Sequence, residues 1–126
     1  MKLLLRREQK SSMLGKITFV LDVRAELSEE EKGNVKKYKL GDTMLYERGK
    51  MTDSGSGLLG LASRVAFKMM NLTVSVDDLS KGKHIECKDI VEMIAVEEQI
   101  KEASHTFHAV LKTAASFGGE EVIEIT

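Results

Sequence analysis

The chain has 126 residues, 42% of them hydrophobic and 31% charged, with a formal net charge of -1. These are globular values, and they exclude a disordered chain and a dedicated polyanion binder, which needs a strong excess of Lys and Arg. The length suits one domain over residues 1–126, because a second core would not fit comfortably.

Residues 2–8 make a short apolar segment ending in charge, read as a first strand, followed by a polar turn over 9–15. From Ile17 to Leu27 every odd position is apolar, while Thr18, Asp22, Arg24 and Glu26 stand among the even ones. Such alternation predicts a long strand with one buried and one wet face, in an antiparallel hairpin with the first. The basic residues Arg6, Arg7, Lys10 and Lys16 around that hairpin discourage edge-to-edge aggregation.

Ser28 and Glu31 form a capping box, and Glu29 and Glu30 sit where a helix dipole favours negative charge. A short surface helix is therefore predicted, with Val35, Tyr38 and Leu40 on its thin apolar face and Gly41 as its left-handed cap. Residues 43–48 read as a third strand, 49–57 as a loop, and 58–70 as a strongly apolar helix. Leu72, Val74 and Val76 alternate as a fourth strand, 77–83 turns the chain, and 84–88 returns as a fifth. A long helix spans 89–116, Gly118-Gly119 stops it, and Glu121 to Ile125 reads as a last strand. The order β-β-α-β-α-β-β-α-β predicts an α+β fold. Its sheet would be mixed but mainly antiparallel, with about five to six strands, packed by the long C-terminal helix.

Along that helix Met93, Val96, Ile100, Ala103, Phe107, Val110, Ala114 and Phe117 recur at alternating spacings of three and four. A stripe of this kind belongs to a helix about 40 Å long, at 1.5 Å per residue, that lies across a sheet or meets a second copy. Met93, Val96, Ile100, Phe107 and Val110 are accordingly the candidate interface.

Gly55-Ser56-Gly57-Leu58-Leu59-Gly60 spells G-x-G-x-x-G ahead of a predicted helix, with Asp77 and Asp78 following a strand downstream. The residues before it, Lys50 to Ser54, are not the buried apolar strand a dinucleotide fingerprint follows, and repeated βαβ units are missing. A weaker expectation survives as the alternative function: a small-ligand binding protein or enzyme in which Gly55, Ser56, Gly57 and Gly60 cradle a phosphate or nucleotide, with Asp77 or His84 nearby as the acid–base group. Glu102, His105 and His108 sit three apart on one side of the last helix, a weak metal candidate. Three ligands on one straight helix cannot close a tetrahedral site. His84 could act as a general base, but no nucleophile is placed beside it.

Charge is unevenly spread: residues 1–63 hold 12 basic and 9 acidic side chains, and residues 64–126 hold 7 and 11. A head-to-tail electrostatic contact between copies is thus conceivable. The single Cys87 excludes an internal disulfide, Lys2 is followed by too few apolar residues for a secretory h-region, and no run approaches the ~20 a membrane span needs. The expectation is a cytoplasmic chain that engages neither membrane nor nucleic acid and needs no cofactor. With no clustered catalytic side chains, it is expected to be a non-enzymatic binding or assembly module. It would pair as a homo-oligomer or with a protein partner, through the long helix or a sheet edge.

Overall fold

The alternating run becomes the centre of a sheet. A computed structural model describes residues 1–48 and 72–126. In chain order it contains β1 (Lys2–Ser11), β2 (Ile17–Glu26), α1 (Glu29–Lys37), β3 (Met44–Arg48), β4 (Leu72–Ser75), α2 (Val76–Lys81), β5 (Lys83–Cys87) and α3 (Ile90–Ala115). The architecture is α+β. All described strand pairs are antiparallel, and they form two sheets rather than one: β1-β2-β5 and β3-β4. Residues 49–71, which carry the glycine motif and the predicted 58–70 helix, lie outside the described residues.

From Leu21 to Ala25 the odd positions of β2 face inward as their periodicity requires, and Leu21, Val23 and Ala25 are buried beside Ile85 and Cys87 of β5, whereas Ile17 near the hairpin tip is exposed. Removing a Leu or Val side chain from water is worth about 1.5–3 kcal/mol, so this row supplies much of the drive to pair β2 with its neighbours. The hairpin is longer than its polar composition suggests. β1 runs to Ser11, and a tip over 12–16 is closed by Ser12 N–H on Lys16 O (2.8 Å), with Gly15 at φ 79°. In β3 a bulge lies between Met44 and Tyr46, so two consecutive residues, Leu45 and Tyr46, are both buried. One buried cluster joins both sheets to α3.

Helix α1 begins at the expected capping box: Ser28 Oγ accepts from Glu31 N–H, and Glu31 Oε1 accepts from Ser28 N–H. Its end differs from the expectation. The left-handed residue is Lys39, at φ 54°, with Leu40 N–H on Val35 O and Lys39 N–H on Lys36 O. That bonding pattern puts the left-handed position two residues ahead of Gly41. Gly41 instead lies against Asp77, where a Cβ would stand 2.3 Å from Asp77 Oδ2.

Two further expectations are corrected. The segment read as a turn over 77–83 is helix α2, started by a second capping box between Ser75 and Asp78. Val76, which continued the strand alternation, is the first residue of that helix and is fully buried. The predicted last strand over 121–125 is not a strand. Beyond α3 the chain passes Gly118, at φ 91°, and residues 120–126 pair with no described strand. A strand is made by pairing with an edge, and this segment pairs with none of the described strands.

Candidate functional site

The predicted site residues do not meet in one place. Of the anion-cradle residues, Gly55, Ser56, Gly57 and Gly60 lie outside the described residues. Asp77 is exposed at the start of α2, with its N–H on Gly41 O at 3.0 Å. Glu102, His105 and His108 are all exposed on α3, and no group of three metal-binding side chains forms among the described residues. Glu98, one turn earlier, pairs instead with Lys101 at 3.6 Å.

Of the candidate interface residues, Met93, Val96, Ile100 and Phe107 are occupied in the core of the chain itself, and Val110 is 40% exposed. The inward face also takes in Leu111, which widens the stripe, and Glu97 and Ser104, which lie outside it. Glu97 accepts from Arg7 of β1 through both oxygens, from Nε at 2.5 Å and Nη2 at 2.9 Å. This bidentate pair clamps the edge strand onto α3, and Glu97 raises the pKa of the Arg7 guanidinium.

At one corner Arg48 donates to Tyr46 Oη (3.3 Å), pairs with Glu92 (3.0 Å) and reaches Cys87 Sγ (4.0 Å). Burial pushes the Cys87 thiol up, and its proton points to Ile85 O at 3.8 Å. Cys87 is therefore held as a neutral thiol, the opposite of what a nucleophile needs.

A different constellation stands on the outer face of the three-stranded sheet. Register places Arg6 of β1 directly across from Asp22 of β2, and Asp22 directly across from His84 of β5. Neighbouring strands lie about 4.8 Å apart, so three side chains on one rung and one face are in mutual reach. Asp22 Oδ1 is shielded from solvent and faces His84 Nδ1 in direct contact. With Nδ1 engaged, Nε2 is the free nitrogen of a ring that is 81% exposed.

One rung further, Arg24 extends along the same face, its Cδ 3.9 Å from where a Cβ on Gly82 would lie. Gly82 takes φ 97°, a left-handed conformation that carries the chain sharply from α2 into β5 and sets Lys81 and Lys83 on either side of the bend. Arg6, Asp22, Arg24, Lys81, Lys83 and His84 thus line one cleft of about 440 Å³.

Its charge is lopsided. Arg6 is paired with Glu8 at 3.1 Å, but Arg24, Lys81 and Lys83 have no described carboxylate within ion-pair distance. The lysines act at longer range on Asp78, whose carboxyl is held below the usual range first by its bond from Ser75 N–H. Chain order hid this cleft, because Asp22 and His84 are 62 residues apart in number and meet only through register. The one sequence signal was a charge triplet, Asp22 and Arg24 on the wet face of β2 opposite a lone strand histidine.

No protein-family model, curated protein or solved structure is significantly similar to this chain.

Proposed function

We propose that the chain is an assembly module that joins copies of itself through its C-terminal segment and an open sheet edge. The observation that carries this reading is the exposure of Val122 (87%), Ile123 (72%) and Ile125 (92%) on a terminal segment that pairs with no described strand. β-branched residues favour strands, and three of them held in water are stabilised by adding to an existing edge. β1 is such an edge. It is ten residues long, lies outermost in its sheet, and carries Lys2, Arg6, Arg7 and Lys10 against a single Glu8. The segment that would meet it carries Glu120, Glu121 and Glu124, so the pairing is complementary in charge as well as in hydrogen bonding. The long helix supports the same preference by default, since most of its stripe is already enclosed.

The test is the solution mass of the full chain by light scattering, beside a chain ending at Gly119 and an Ile123→Asp/Ile125→Asp variant. The full chain should form dimers or larger species that salt weakens, and both altered chains should stay at the monomer mass. A full chain of 14.0 kDa at every concentration, or a truncated chain that still assembles, would overturn the reading.

A further inference from the structure

The cleft beside Gly82 has a chemistry of its own. We infer that it is a binding site for an oxyanion of the phosphate class, with Arg24, Lys81 and Lys83 supplying charge and His84 Nε2–H supplying a directional hydrogen bond. Three independent observations converge. First, the cleft concentrates cations in a chain whose net charge is -1, so the local excess is not a by-product of a basic protein. Second, the one carboxylate inside the cleft, Asp22, faces His84 Nδ1, and Arg24, Lys81 and Lys83 have no carboxylate within ion-pair distance among the described residues. Third, Asp22 fixes how the imidazole can bond. With Nδ1 turned toward Asp22, Nε2 is the ring nitrogen that a phosphate oxygen would meet.

The site is built on rigid parts. Arg6, Asp22 and His84 share a rung of hydrogen-bonded strands, and Arg24 lies one rung on. Lys81 and Lys83 are fixed by the left-handed Gly82 between a helix end and a strand. The ligand class follows from charge and size. Three cations with no ion-pair partner among the described residues match a dianion rather than a carboxylate, and lysines with an arginine fork suit phosphate oxygens. A cleft of about 440 Å³ has room for the organic group of a phosphate monoester as well as the anion. Leu4, two residues before Arg6 on the same face of β1, also lines it.

The chain contains three histidines, and the other two, His105 and His108, stand exposed on α3 away from this sheet face. They serve as internal controls. Inorganic phosphate is titrated into the full chain at pH 7 and constant ionic strength, and the three imidazole signals are followed by NMR. The His84 signal should shift saturably while those of His105 and His108 stay still. A charge reversal of Arg24→Glu with Lys83→Glu should weaken the apparent affinity at least about tenfold, as loss of charge-assisted bonds requires. His84→Gln, a milder change, should weaken phosphate binding when it is read by calorimetry, with the His105 and His108 signals unmoved as a check on the fold. Equal, unsaturable shifts at all three histidines, or no shift at His84, would overturn the proposal. So would binding that survives the charge reversal unchanged.

Discussion

Lys39 is the residue where local geometry and residue type most plainly disagree. Its φ of 54° closes the end of α1, a conformation that costs an L-residue about 1 kcal/mol and glycine almost nothing. The sequence offered Gly41 two positions later, and a reading by residue type places the left-handed turn there. The hydrogen bonds from Leu40 and Lys39 back to Val35 and Lys36 place it at Lys39, because Leu40 must fold back onto Val35 to cover the core. Gly41 is kept small by a different demand, the approach of Asp77. Lys39→Gly should therefore raise stability by a few tenths to about 1 kcal/mol, the relief of strain offset in part by a freer unfolded chain. Thermal and urea unfolding of the two chains would read it, and a lower melting temperature for the glycine variant would refute the strain.

At the scale of elements, α3 shows why a heptad stripe and a buried face are different things. A straight helix turns 100° per residue, so a strict seven-residue repeat slips about 20° per heptad. Val96, Ala103 and Val110 are successive heptad positions, and they rotate steadily out of the core: 2% exposed, half-buried and 40%. Glu97, Ser104 and Leu111, one residue on from each, stay buried along the whole length. The stripe was legible in the sequence, but the side it favours depends on the helix staying straight against a sheet instead of supercoiling around a partner.

The alternation of β2, the capping box at Ser28 and the extent of α3 were legible for the same reason: each is a local signal. Helix α2 was not, because six residues carry too little periodicity and Val76 continued the strand pattern. The Asp22–His84 rung and the split into two sheets are products of register, which no local pattern encodes. Leu111→Ala should cost about 2–4 kcal/mol, as buried leucine truncations do, while Val110→Ala should cost under about 1 kcal/mol. Urea midpoints for the pair would decide it. Equal losses would mean that the face does not turn as described.

For the whole molecule, groups of opposite behaviour bound the range of pH in which the fold is most stable. Burial works to raise the Glu31 carboxyl, but bonds from Ser28 and the N-terminal ammonium, at 2.9 and 3.0 Å, outweigh it and hold the group below the usual range. Asp78 is lowered too, first by the bond from Ser75 N–H. A carboxyl lowered by folding contributes stability that is complete above its unfolded value, about 4, and lost as pH falls through the folded one.

Cys87 acts at the other end. Burial raises its thiol, so between the unfolded value of about 8.5 and the higher folded value the unfolded chain releases a proton the folded chain keeps. Stability from this source is complete below about 8.5 and declines as pH rises. The unfolding free energy should therefore be flat from about pH 5 to 8 and fall on both sides. Asp78→Asn should flatten part of the acid limb and Cys87→Ala the alkaline one, whatever each does to stability at pH 7. Urea unfolding at a series of pH values measures both slopes. An alkaline limb that persists unchanged in Cys87→Ala would show that the thiol does not ionise on unfolding as its burial demands.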